Sequence, residues 1–241
     1  MNDETLARLI YRANGAYGQE VLVERPLTET ISWGRIWLQA PQPDESDLLT
    51  PNYYAYLIRD QAQRCVGLVI DHGEKDLHVY VPPHRRGRGL MSQALREVIL
   101  PHLLGRGDRT EQLITISRNY GQATFEAAAR AARAAGFEPL ELGEQAEENT
   151  LTLRYRPAEA DALPWIEGRN TLPTMERVGQ LRRQLAYLAS RLQLIGAEVE
   201  LQLGDEVLTD DIANLTREVQ DLGERIETAT WAVARNQGHR L

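Results

Sequence analysis

The chain has 241 residues, 42% of them hydrophobic and 26% charged, with a formal net charge of −8. That is room for one medium domain with an appendage, or two small ones, in a composition ordinary for a soluble globular protein. The acidic balance argues against non-specific binding to nucleic acid or anionic membrane, and no apolar run approaches the ~20 residues of a membrane span. The start, Met1-Asn2-Asp3-Glu4, is unlike a signal peptide. Cys65 is the single cysteine, so no intrachain disulfide can form and a reducing, cytoplasmic setting (or an intracellularly assembled particle) is expected. Lys75 is the only lysine among 27 cationic side chains, which fits a GC-rich coding bias.

In chain order, Glu4 to Arg12 carry Leu6, Leu9, Ile10 and Ala13 on one helical face, with Asn2 or Asp3 as cap and Asn14-Gly15 as stop. Glu20 to Glu24 reads as a short strand. Leu27 to Ala40, with Ile31, Trp33, Ile36, Trp37 and Leu38, is open between helix and strand, and its tryptophans suit core packing or one wall of a cleft. A proline- and acid-rich loop, 41–51, leads to Tyr53–Arg59 and Cys65–Asp71, an expected antiparallel hairpin in which Cys65 is a core thiol.

Leu77 to Val81 alternates as a strand until Pro82-Pro83 stops it, and from Leu90 apolar residues recur at helical spacing up to Pro101. Between them lie Arg85, Arg86, Gly87, Arg88 and Gly89. Glycine admits close backbone approach, and a helix start offers unpartnered N–H groups and a favourable dipole, so this corner is a candidate phosphate cradle. An exposed basic turn is the plainer reading. Onward, Gln112–Ser117 reads as a strand, Asn119 and Gln122 as a capping box, Ala123–Ala135 as a helix stopped by Gly136, and Phe137–Leu140 and Thr150–Tyr155 as strands around an acidic loop.

The cradle segment resembles the acetyl-CoA motif of the GNAT superfamily of N-acetyltransferases, Arg/Gln-x-x-Gly-x-Gly/Ala, met by Arg86 and Gly89 and departing at Met91. The Gly136-Phe137 pair matches another family habit. Over residues 53–155 the resemblance implies an α/β fold: a mixed, mostly antiparallel sheet flanked by helices. It implies that backbone N–H groups from Arg86 through Gly87, Arg88, Gly89 and Leu90 to Met91 hold the CoA pyrophosphate, aided by Arg85. It further implies that pantetheine pairs with Val79 to Val81, and that a backbone N–H near Val79 or Tyr80 polarises the thioester.

Acetyl transfer to an amine needs a base, for which His78, Glu74 and Asp76 are candidates. Solvated turn charges and a sheet-lining imidazole are the alternatives. The family's acid position, four residues before Gly136, is Ala132, and its asparagine position is Phe125; Tyr120 or Ser117 are the substitutes. The five histidines lack metal-ligand spacing, so no metal site is expected.

Prolines 157, 164 and 173 mark a linker, 157–173, after a first domain of 1–156. In 174–241 two runs, Val178, Leu181, Leu185, Leu188, Leu192, Ile195, Val199 and Leu208, Ile212, Leu215, Val219, Leu222, Ile226, Ala229, Val233, alternate spacings of three and four. With Gly204-Asp205 between them they predict an antiparallel coiled-coil hairpin with arms of about 45 Å, apt for self-association or a protein partner. Two functions follow: an acetyl-CoA-dependent acetyltransferase for an unidentified amine, or an assembly protein, such as a component of a virus particle, using a GNAT-like platform, active or inactive.

Overall fold

The computed structural model describes residues 2–43, 48–105, 109–140, 149–157, 166, 168 and 172–236. The acidic loop at 141–148 and most of the 157–173 linker lie outside the described residues. The chain divides into two compact units, Met1–Arg169 and Asn170–Leu241.

In the first unit, helix α1 (Asp3–Ala13) starts at Asn2, whose side chain accepts from the Thr5 N–H, and ends at Asn14. Strands β1 (Val21–Pro26), β2 (Ile31–Trp37), β3 (Tyr53–Arg59), β4 (Cys65–Asp71) and β5 (Leu77–Tyr80) lie side by side in sequence order, each neighbour antiparallel. The ambiguous tryptophan segment is therefore the strand β2. Gly34 explains its fit, since a Cβ there would sit 2.5 Å from the Val23 carbonyl. Strands β3 and β4 are buried on both faces, which accounts for their near-continuous apolar runs.

Helical residues Leu90–Leu104 follow as α2 (Leu90–Ala94), a π-turn (Leu95–Ile99) and α3 (Leu100–Leu104). Pro101 does not end this helix. It brings no N–H, and the wide turn just before it, with Leu100 donating five residues back to Leu95, lets the helix continue. Strands β6 (Gln112–Ser117), β7 (Glu138–Pro139) and β8 (Thr150–Tyr155) form a second antiparallel sheet in the order β6-β8-β7. The fold class is the expected one, with the sheet divided in two between β5 and β6. One face of the larger sheet packs Leu6, Leu9 and Ile10 of α1 on Leu57, Leu68 and Ile70. The other joins Tyr56, Ile58, Val69 and Leu77 to Leu95, Ile99, Phe125 and Phe137.

Helix α4 (Gln122–Ala134) lacks the expected capping box: Gly121, at φ +89°, occupies the cap, and Asn119 lies in a 3-10 turn where its N–H donates to the Ser117 hydroxyl. Its other end closes as foreseen. Gly136 has φ +100°, with Phe137 N–H bonded to the Ala132 carbonyl and Gly136 N–H to Arg133, a Schellman closure.

The second unit is a helical hairpin, α5 (Met175–Leu203) and α6 (Glu206–Asn236). Thr174 caps α5, Gly204 closes it in the left-handed region, and the Asp205 carboxylate caps α6 through the Leu208 N–H. The seam differs from the expected one. Ala189, Gly196, Thr216, Gly223 and Thr230 are buried, while Leu188, Ile195, Leu208, Leu215 and Leu222 are exposed. Small residues at seven-residue spacing let the helices approach closely and rotate the contact onto themselves.

Gly136→Ala forces an L side chain into positive φ with its Cβ 3.1 Å from the Tyr155 ring. A loss of about 1–2 kcal/mol is expected in denaturant unfolding followed by circular dichroism.

Candidate functional site: the cleft between β5 and β6

Two sheet edges face each other here, because β5 is the last strand of the larger sheet and β6 the first of the smaller. They are fastened at one end. Leu113 N–H donates to the Glu74 carbonyl at 2.8 Å, and Thr115 N–H donates to the Asp76 carboxylate at 2.9 Å. The fully buried Gln112 side chain donates to the Gly73 and Glu74 carbonyls at 2.9 and 3.1 Å. Arg109 reaches both Asp71 carboxylate oxygens, at 2.9 and 2.8 Å, and also donates to Gln112. Beyond Thr115, no backbone hydrogen bond joins the strands among the described residues. The edges run the same way from a common clasp, unpaired with each other past it.

The alternation of an antiparallel ladder then settles which groups are free. His72 N–H bonds to the Asp76 carbonyl, so Asp76, His78 and Tyr80 direct their backbone groups toward β4. Val79 and Val81 direct theirs into the cleft. Of the two residues named for polarising a carbonyl, Val79 is the one whose N–H faces it. The Val81 carbonyl is taken by Arg86 Nε at 2.8 Å.

Past Val81, a 3-10 turn (Pro83–Arg85) leads to Arg86, Gly87, Arg88 and Gly89, all exposed. Gly87 has φ +76° and Gly89 φ +70°, backbone that L residues rarely adopt, and a Cβ at either would meet nothing within 4 Å. Gly89 caps α2 without any side-chain hydrogen bond, leaving the first-turn N–H groups of Leu90 and Met91 uncapped by side chains. Arg85 leans toward Asp60 at 3.8 Å, and Arg88 is exposed. The open glycine turn, uncapped amides and arginines fit a diphosphate. Met91 is buried with its Cε against Gly67, 3.5 Å from where a Cβ would be, so a glycine on β4 makes room for the larger residue.

The candidate acid–base residues do not form one cluster. His78 is half-buried on the α1 side of the sheet, paired in register with Ile70 and with its ring centroid 6.4 Å from that of His72. Burial is the main cause that pushes its pKa below 6.5, with His72 adding to it and Asp76 opposing. The imidazole is therefore neutral where an ordinary histidine begins to protonate. Glu74 sits at the clasp, exposed, using its carbonyl. The Asp76 carboxylate holds the clasp. Ser117 and Tyr120 lie at the opposite end of β6, about 17 Å along the strand from Gln112. Ser117 accepts from Asn119 N–H, and Tyr120 is exposed. Ala132 and Phe125 are both core.

Sequence reasoning missed Asp71, Arg109 and Gln112. The available signal was Gln112, a long polar side chain opening a strand whose buried face is otherwise Ile114 and Ile116. Cys65 is buried, and burial pushes its thiol up to about 11. Among the described residues there is no group of three or more side chains placed to hold a metal, and no helix long and apolar enough to cross a membrane.

No family model and no curated protein matches this chain. Solved structures similar to it include acetyltransferases. An acetyltransferase from Agrobacterium tumefaciens is 20% identical over 44% of this chain and 61% of its own length, with TM-score 0.36. The spermidine/spermine N-acetyltransferase of Vibrio cholerae is 12% identical over 65% and 91%, with TM-score 0.35. A GNAT superfamily phosphinothricin acetyltransferase from Sinorhizobium meliloti, in complex with AcCoA, is 18% identical over 51% and 66%, with TM-score 0.30.

Gln112→Leu strips partners from the Gly73 carbonyl and from Arg109. A loss of about 1–3 kcal/mol is expected in urea unfolding. For His78 the folded pKa lies below the unfolded value of 6.5, so the unfolded state binds the proton first and stability falls as pH drops below 6.5. His78→Gln should flatten that part of a plot of Tm against pH.

Proposed function

We propose that the first unit binds acetyl-CoA and transfers its acetyl group to an amine of a still unidentified acceptor, as the GNAT-like motif from Arg86 to Met91 implies. The observation that carries this is the pair of strand edges, β5 and β6, unpaired with each other past a common clasp and leading to an open glycine turn at a helix start. An extended pantetheine suits the free edge at Val79 and Val81, and a pyrophosphate suits the amides from Gly87 to Met91 with Arg86 and Arg88 beside them. Bound acetyl-CoA would supply a thioester. The Val79 N–H would stabilise the oxyanion as a C–N bond forms and the C–S bond breaks. His78, its pKa lowered by burial, would take the amine proton through water, with Glu74 as the alternative. Tyr120, or Ser117, would return a proton to the departing sulfur.

In this reading residues 1–156 are the acetyltransferase-like domain, 157–173 a linker, and 174–241 an association element for a second copy or another protein. Acyl-CoA supply and the lone, buried Cys65 favour a cytoplasmic setting. The exposed leucine rows of the hairpin favour association as a second role.

Titration calorimetry of acetyl-CoA into the full chain should show one saturable site. Gly89→Val, at φ +70°, and the pair Arg86→Glu with Arg88→Glu should abolish the heat while circular dichroism stays unchanged. Unaltered affinity in both variants would remove the cradle.

A further inference from the structure

The hairpin leaves a face uncovered. In each helix three rows repeat every seven residues. An aliphatic row (Leu185, Leu192, Val199; Ile212, Val219, Ile226) and a small row (Ala189, Gly196; Thr216, Gly223, Thr230) meet in the seam. The third row is Leu181, Leu188 and Ile195 on α5, and Leu208, Leu215 and Leu222 on α6. All but the partly exposed Leu181 are between 37% and 51% exposed. In both helices this third row precedes the small row by one position (188 and 189, 215 and 216), so it is rotated from the seam in the same sense. Antiparallel partners are exchanged by a two-fold axis normal to the hairpin plane, which places both third rows on one face. A row kept at seven-residue spacing stays on that face along the whole arm.

The charged residues bordering that face say what covers it. The bordering row is Arg177, Gln184, Arg191 and Glu198 on α5, and Asp211, Glu218, Arg225 and Ala232 on α6, with every residue from 177 to 225 among them exposed. On α5, Arg177 and Glu198 are symmetric about a point between Tyr187 and Leu188, as are Gln184 and Arg191. On α6, Glu218 and Arg225 are symmetric about a point between Asp221 and Leu222, as are Asp211 and Ala232. The hairpin register is fixed independently by Arg182, 22 residues before Gly204, bonding to Glu227, 22 residues after Asp205. In that register the two midpoints stand level, each 16.5 residues from the turn.

We infer that the covering partner is a second copy of this chain, packed face to face about a two-fold axis at that level, with the two turns at opposite ends of a four-helix bundle. This rests on reading the hairpin as an association element, and commits it to one partner and one geometry. Arg177 then meets the partner's Glu198, Glu218 meets the partner's Arg225, and each pair occurs twice without a like-charge contact. Leu188 packs on its own copy at the axis, Leu222 likewise, and Leu181 meets the partner's Ile195. The arrangement with both turns at one end is disfavoured. There Arg191 meets the partner's Glu218, but Glu198 meets the partner's Asp211, so attraction and repulsion cancel.

Light scattering on the full chain should give twice 27.3 kDa at tens of micromolar. Leu188→Glu with Leu222→Glu should give a monomer of unchanged helix content. Glu198→Arg should weaken the dimer roughly tenfold, and adding Arg177→Glu should restore it. Leu188→Cys, with the buried Cys65 left in place, should oxidise to a disulfide-linked dimer, and spin labels at Asp205→Cys should lie about 50 Å apart. A monomeric wild type overturns self-association and with it this geometry, while leaving a different protein as the partner in the association reading. A dimer that survives the double glutamate change, or whose turn labels lie together, overturns the geometry alone.

Discussion

Gln112, Arg109, Asp71 and Asp76 hold the first strand of one sheet against the last strand of another at a single end. Gln112 and Asp76 reach backbone groups of the opposite segment, and Arg109 with Asp71 adds a side-chain pair. The ladder is thus reduced at the clasp to one backbone bond supported by side chains and abandoned beyond it, and the outward backbone of Val79 is left without a partner strand. A buried glutamine that donates to the Gly73, Glu74 and Leu113 carbonyls while accepting from an arginine is costly to break, since each lost partner strands a desolvated polar group.

The cradle depends on that opening. Arg86 turns back to the Val81 carbonyl and so ties the end of the strand to the glycine turn, while Gly87 and Gly89 carry the positive φ that brings the chain round to the helix. Met91, too large for the GNAT-like pattern, is absorbed by Gly67 on the neighbouring strand. The departure at one position is answered by a missing side chain at another.

What the sequence disclosed was whatever is written locally. Strand, glycine turn and helix follow one another within 77–100, and Gly136 closes its helix by bonds to residues three to five positions back. The clasp joins residues near 73 to residues near 112, and nothing in either segment names the other. Asp76 was legible as an acid but not as a group committed to the Thr115 N–H. In the hairpin the seven-residue period was plain. Which two of three rows would meet was decided by side-chain size, and Ala189, Gly196 and Gly223 outbid the leucines because small residues permit the closest axes. The acid–base partners stayed open because their roles depend on an acceptor that no residue pattern describes.

The splayed sheets have a second effect, on behaviour in crowded solution. Every open sheet ends in two margins that can recruit strands from other molecules. Here two of the four margins, β5 and β6, confront each other across a gap and are withdrawn from such recruitment. The remaining two are β1 and β7, and each terminates in a proline, Pro26 and Pro139, which cannot donate to a foreign ladder. Among the described residues the outer edges thus each lose one donor to proline, which shortens the run of N–H groups they offer to a foreign strand.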